Sequence, residues 1–256
     1  MSPVSDGPTR SPAGRGAAGP SGLVQPSGDL ADWRLLHVDG FDRDTTGGTP
    51  YLVYDQGVSG DKPDTSYWKR DHVLVEDGKL VLLGERERVR VDGKESVRLV
   101  TGAITLWQLP RQTYGRYEVA FRIDRTPAMS YALMLWPHDG GNWPAGGEVD
   151  FAEDRGGDRS STRATYNYGD DGVRRILPQH DVTPARPFSD WHILGVEWLP
   201  GQLRYRLDGK VWATNTSPVI ADNPMVLILQ TEGMLAAPPA GRYRAEIDWV
   251  AVYARR

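Results

Sequence analysis

Cysteine is absent from the 256 residues, so neither disulfides nor thiolate metal sites can contribute, and the redox compartment leaves no trace. No apolar run approaches the ~20 residues that cross a bilayer as a helix, so no membrane partner is expected. Lysine is confined to Lys62, Lys69, Lys79, Lys94 and Lys210; nearly all basic charge is arginine, a compositional bias with no function attached. The net charge of -4 is mild and argues against nucleic acid as the main partner, because phosphate binding draws on clustered Lys and Arg. His37, His72, His138, His180 and His192 are scattered without H-E-x-x-H spacing, and no G-x-S-x-G stands between a strand and a helix. Zinc hydrolysis and serine-nucleophile chemistry therefore have no support.

Large side chains are also scarce over residues 1–28, which are rich in Ser, Pro, Gly and Ala. Such a segment buries too little surface to offset its ordering entropy, so a disordered tail is expected there. It lacks the basic and apolar regions of an export signal. Residues 29–256 are long enough for one sizeable core. Their periodicity is that of strands: Tyr117, Val119, Phe121 and Ile123 alternate with Glu118, Arg122 and Asp124, as Leu203, Tyr205 and Leu207 do with Gln202, Arg204 and Arg206. Asp77-Gly78, Asp92-Gly93 and Asp208-Gly209 each stand between strand-like runs and predict tight hairpins. No helical stripe is convincing. Many short strands with 29 Gly and 19 Pro point to an all-β antiparallel sandwich or barrel. The run Tyr243 to Tyr253 turns apolar on both faces, as a covered central strand does, and pairing with Trp33 to Val38 is expected.

Against this background the stretch Gly147-Glu148-Val149-Asp150-Phe151-Ala152-Glu153-Asp154 stands out, with four carboxylates in seven residues. On a regular strand Glu148, Asp150 and Ala152 share one face while Val149, Phe151 and Glu153 share the other. A bulge near Phe151-Ala152 resets the phase, brings Glu153 to the face of Glu148 and Asp150, and leaves the apolar groups for the core. Three carboxyls in a row suit glycosidic cleavage, in which one attacks the anomeric carbon and another protonates the leaving oxygen. On that reading Glu148 and Glu153 are the working pair, and Asp150 holds the pair's proton in place. An edge strand rimmed with solvated carboxylates, or a Ca²⁺ site, fits the same residues.

Nine tryptophans are the other signal, since sugar rings stack their apolar faces on flat aromatics. Trp136 and Trp143 flank the carboxylate stretch and are the best candidates for walls of a sugar cleft. Trp33, Trp198 and Trp249 lie in strongly apolar strands and are expected in the core. Trp68, Trp107, Trp191 and Trp212 are not assigned by pattern.

Together these pieces resemble glycoside hydrolase family 16, the laminarinase and lichenase group. Gly147 to Glu153 is similar to that family's G-E-I-D-x-x-E signature in its bulged form. Asp77-Gly78-Lys79-Leu80-Val81-Leu82 resembles its early "DGxLxL" strand, and Tyr114-Gly115-Arg116-Tyr117-Glu118-Val119 its "YGxxEx" strand. Trp191 to Trp198 followed by Asp208-Gly209 resembles "FHxYxxEW…DG", and Ile247 to Tyr253 the closing "xDxVRVY" strand. The likeness runs from about Asp29 to the C-terminus. It implies a β-jelly-roll sandwich, concanavalin A-like, whose concave sheet forms a cleft for endo-cleavage of β-glucans with retention. Carried over by position, Glu148 is the nucleophile, Glu153 the general acid/base and Asp150 the assisting carboxyl. It further implies an extracellular enzyme, expected as a monomer acting on polysaccharide, and a structural Ca²⁺ with Asp248 as a ligand, while catalysis itself needs no cofactor.

Two positions depart from the family. Asn167 stands where many members carry a histidine, and Gln230 where Asn is common; an uncharged amide can still hydrogen-bond a sugar or a carboxylate. Trp136, Trp143, Trp107, Asn167 and Gln230 thus form the candidate sugar-binding set. Cleavage of another glycan such as a galactan, transglycosylation, and a lectin that binds without cleaving remain alternatives, because specificity lives in the loops His138 to Gly146 and Asp154 to Ser161.

Overall fold

A computed structural model describes residues 18–44, 46, 48, 50–58, 62–138 and 143–256. Among these, the strands form a ten-stranded and an eight-stranded sheet, antiparallel throughout except where Ser66–Trp68 lies parallel to Lys94–Thr101. The one helical element among the described residues is the 3-10 turn Arg70–His72. The inner faces meet in a core to which the larger sheet sends Val119, Phe121, Leu194, Trp198, Ile247 and Val250, and the smaller Leu133, Leu135, Val149, Phe151, Leu227 and Leu229. Each is at most 1 % exposed, a burial that contributes roughly 1.5–3 kcal/mol per side chain. The architecture is the antiparallel jelly-roll sandwich expected from the sequence.

All three Asp-Gly pairs form the expected hairpins. Both residues of each pair have positive φ, for instance Asp92 at 49° and Gly93 at 77°, the backbone that a two-residue turn between right-twisted strands requires. The closing strand Arg242–Arg255 is apolar on both faces because both are covered. Ile247, Val250 and Val252 enter the main core, whereas Trp249, Ala251 and Tyr253 form an outer cluster with Trp33. The strand Trp33–Asp39 pairs with it from Trp33 opposite Arg255 to Asp39 opposite Val250.

That outer cluster corrects the expectation of a disordered tail over residues 1–28. Residues 1–17 lie outside the described residues, but residues 18–28 run over the larger sheet. Ala18 bridges Val24, Leu23 packs against the Trp33–Trp249–Tyr253 cluster, and the Ser21 amide donates to Asp248 Oδ2 at 3.1 Å. The segment needs no core of its own, because it borrows apolar surface that the closing strand presents outward.

In the smaller sheet the carboxylate strand Glu148–Asp154 lies between Met129–Pro137 and Thr162–Tyr168. Its far end is anchored by Arg159, which is 1 % exposed. Arg159 Nη1 donates to both Asp154 oxygens at 2.6 Å, Nη2 to the Met129 carbonyl at 2.7 Å and Nε to the Asp124 carbonyl at 2.9 Å. The fourth carboxylate of the stretch is therefore a structural ion-pair partner. Removing a buried guanidinium that satisfies a carboxylate and two carbonyls leaves all three uncompensated. Arg159→Ala is expected to lower unfolding free energy by ~3–5 kcal/mol in denaturant titration, and Arg159→Lys to recover little of it, because an ammonium cannot reach the same forked set of acceptors.

Candidate active site

Entry into the carboxylate strand depends on Gly147. Its φ is 75°, and a Cβ there would stand 2.6 Å from the Tyr166 hydroxyl oxygen, so side chains are excluded on both counts. Beyond it the strand starts in regular register, with Glu148 opposite Asn167 and Asp150 opposite Thr165. The register then slips between Asp150 and Ala152 against Met129–Pro137, and between Asp150 and Glu153 against Thr162–Tyr168. This is the bulge expected at Phe151-Ala152. Val149, Phe151 and Ala152 all enter the core, while Glu148, Asp150 and Glu153 line one cavity on the opposite face.

Each carboxyl has its own orienting donor. Trp143 Nε1 donates to Glu148 Oε2 at 2.5 Å. Thr165 Oγ1 donates to Glu153 Oε1 at 2.6 Å and itself accepts from Gln179 Nε2 at 2.9 Å. Asp150, only 4 % exposed, accepts from Asn167 Nδ2 through Oδ2 at 2.9 Å. Its Oδ1 is buried with no donor group against it among the described residues.

Burial is the largest cause that pushes Asp150 well above the ordinary carboxyl range, followed by the negative charges of Glu148 and Glu153, with Arg174 opposing. Asp150 therefore holds its proton more tightly than an ordinary carboxyl does. A row of this kind can attack, protonate and hold a proton between two carboxyls, which is the set of operations glycosidic cleavage needs.

Beside the row, Trp136, Trp143, Tyr54, Trp68, Gln230 and Glu148 line an open cavity of about 460 Å³. Trp136 and Trp143 stack with ring centroids 6.3 Å apart and planes 10° from parallel, and Trp143 is 42 % exposed. These are the flat apolar walls that a sugar ring accepts. Ala132, Met134, Val226 and Ile228 form an apolar cluster on this face of the sheet, with Tyr54 and Trp136 packed against it.

Of the residues singled out from sequence, Trp136, Trp143 and Gln230 come together with the carboxylates. Trp107 is not among the residues that line either cavity: it stacks on His138 at 4.5 Å, and its carbonyl lies 3.3 Å from His138 Nε2. Asn167 is also corrected as a sugar contact. It is 1 % exposed, and its amide is committed to Asp150 on one side and to Arg174 Nε, at 2.7 Å, on the other.

Tyr54, Trp68, Thr165, Gln179 and Arg174 were not foreseen at the site. Period-two alternation would have put Thr165 beside Asn167 on the face of the carboxylates, opposite Asp150. Tyr54 and Trp68 arrive from distant chain and meet edge to face at 5.2 Å, a pairing with no local signal. Residues 139–142, within one of the loops expected to decide specificity, lie outside the described residues.

Asp248 is remote from this site, at the register slip between Ile247 and Trp249. It is 1 % exposed and has no ion-pair partner among the described residues. Its Oδ2 accepts from the Ser21 amide and hydroxyl, and Gly19 lies so close that a Cβ would stand 2.2 Å from Oδ1. A buried carboxylate without countercharge fits a cation. No group of three His, Asp or Glu gathers there among the described residues, so a calcium would take its other oxygens from backbone carbonyls and water.

With this geometry established, the comparisons with known proteins are informative. The chain is 28 % identical over 150 residues to a glucan endo-1,3-beta-glucosidase of Cryptopygus antarcticus, covering 55 % of this chain and 53 % of that protein. It is 28 % identical over 191 residues to a beta-agarase of Phocaeicola plebeius, covering 62 % and 56 %. The chain thus spans little more than half the length of these two relatives. Its fold matches the laminarinase catalytic domain of Thermotoga maritima with a TM-score of 0.74 at 21 % identity, over 88 % of this chain and 99 % of that one. The family model described as "Glycosyl hydrolases family 16" matches residues 62–251, a span that includes the bulged strand, its orienting donors and the tryptophan pair, and the chain belongs to that family.

Proposed function

We propose that this protein is a retaining endo-glycosidase that cleaves internal β-1,3- or mixed β-1,3/1,4-glucan linkages by double displacement. The observation that carries the reading is the bulged row, in which Glu148 and Glu153 face one cavity with the buried Asp150 between them. The glucan endo-1,3-beta-glucosidase and laminarinase relatives support the substrate class. The beta-agarase relative supports a second reading, a galactan in the same cleft.

In the first step the Glu148 carboxylate attacks the anomeric carbon, and the bond to the leaving oxygen breaks as Glu153 protonates it. A glycosyl ester on Glu148 results. Glu153, now ionised, takes a proton from water, whose oxygen attacks the same carbon and expels Glu148 as carboxylate. Trp143 orients the attacking oxygens, and the Asp150 proton moderates their charge until the sugar arrives. One chain carries the whole set, so a monomer suffices, and a polymeric substrate fits action outside the cell. A calcium at Asp248 would supply no step of the reaction. It would neutralise a buried charge and tie residues 18–24 to the closing strand.

Reducing-end release from laminarin, barley mixed-linkage glucan and agarose tests the reading. Release from one polymer should fall roughly 10²–10⁴-fold in Glu153→Gln and at least as far in Glu148→Gln, with binding retained in both; undiminished release in either variant would overturn it.

Asp150 generates a separate expectation. Its folded pKa lies above the ordinary 3.8, so the folded chain keeps a proton that the unfolded chain releases. That contribution to stability is full below the unfolded value and is lost as pH rises towards the folded one. Asp150→Asn mimics the protonated form permanently. Its Tm should match wild type near pH 4 and exceed it by about 2–4 °C per kcal/mol gained towards pH 8, while kcat falls; a constant Tm difference across that range would contradict the protonated assignment. For calcium, millimolar Ca²⁺ should raise Tm relative to EDTA in wild type and have no effect in Asp248→Asn.

A further inference from the structure

We infer that Arg174 is a positioning residue, which acts through Asn167 to decide which oxygen of Asp150 is tied to an amide donor and which is left to carry a proton. The inference rests on the glycosidase reading for its consequence in turnover, but its structural premise stands apart from substrate.

The premise is a matter of donors and acceptors. A carboxamide can present either its oxygen or its nitrogen to a neighbouring carboxyl, and a protonated carboxyl can meet either. Asn167 and Asp150 alone therefore allow two arrangements. In one, Asn167 Nδ2 donates to Asp150 Oδ2 and the Asp150 proton sits on Oδ1. In the other the amide is turned over, and the proton sits on Oδ2 and points at Asn167 Oδ1.

Arg174 removes the second arrangement. A guanidinium donates and never accepts, and its Nε lies 2.7 Å from the far end of the Asn167 amide. That end must be the oxygen, so the end facing Asp150, at 2.9 Å, must be the nitrogen. Asp150 Oδ1, buried and without a donor group, is left as the oxygen at which no donor competes with a proton. The arrangement follows from the chemistry of arginine and does not depend on telling the amide atoms apart.

Charge adds to geometry. Asp150 faces Glu148 and Glu153 from its own strand, Arg174 from the segment that follows Thr162–Tyr168, and Lys62 and Glu232 across the same cavity. Arg174 is the cation whose charge acts on Asp150 in opposition to the two glutamates. It also lines the aromatic cavity beside Glu148, so direct contact with sugar is the competing role.

A four-protein cycle separates the roles: wild type, Arg174→Met, Asn167→Ala and the double variant. Loss of one hydrogen bond to an ionic donor should lower kcat about tenfold in Arg174→Met, with KM changed less than about twofold and with an altered pH profile of kcat. Arg174→Lys, which keeps a head that only donates, should recover part of the loss. In the Asn167→Ala background Arg174→Met should cost nothing further, because the arginine then has no amide to hold. A rise in KM with kcat intact, or an equal loss in both backgrounds, would overturn the positioning role in favour of direct sugar contact. The same four proteins compared by Tm require no substrate. Losses there that simply add would sink the relay even if no glucan is cleaved, whereas coupled losses with no turnover would sink the glycosidase reading and leave the relay standing.

Discussion

One extra residue in one strand is the constraint on which the site depends. Without the slip at Phe151-Ala152, strict alternation would send Glu153 into the core beside Phe151, where an ionised carboxyl is too costly to bury. With it, Val149, Phe151 and Ala152 are all packed inside and three carboxyls share the outer face. The bulge is held on both flanks. Gly147 sets the entry with a backbone only glycine adopts easily at that crowding, and Arg159 clamps the exit through Asp154. The sandwich serves as the rigid support for that single irregularity.

Three carboxyls on one row repel, and the repulsion falls most heavily on the buried one, Asp150, which holds a proton the more tightly for it. Burial and the neighbouring charges act in the same direction on Asp150, so the proton has a defined home. The outer two keep separate donors, Trp143 for Glu148 and Thr165 for Glu153. Distinct environments for chemically similar groups are what allow one to attack while another gives up a proton. The arrangement costs stability, as functional sites commonly do, and the large core opposite can absorb that cost.

Legibility from sequence followed the range of the forces involved. The hairpins at Asp77-Gly78, Asp92-Gly93 and Asp208-Gly209 were readable because turn backbone is set by two adjacent residues. The bulge was readable because charge and apolar groups conflicted within seven residues. The closing strand's partner was readable from two apolar faces that both needed cover. Residues that reach the site through the fold were not: Tyr54 and Trp68 come from distant chain, and Arg174 meets Asn167 across a turn with no periodic signal. Trp107 and Asn167 show the converse, since residue type suggested sugar contact and the fold supplied other partners, His138 for Trp107 and Asp150 with Arg174 for Asn167. Residues 18–28 escaped a reading by composition because composition reports what a segment can bury by itself, whereas Leu23 and Ser21 find their partners on the strand Arg242–Arg255.

The central claim is that Glu148 becomes covalently glycosylated, and a trapped intermediate tests it most directly. Incubation with a 2-deoxy-2-fluoro glucosyl oligosaccharide bearing a good leaving group, followed by peptide mass spectrometry, should show one added glycosyl mass on the peptide containing Glu148 and none in Glu148→Gln. A label on Glu153 instead, or an unlabelled protein that releases product of inverted anomeric configuration, would contradict it.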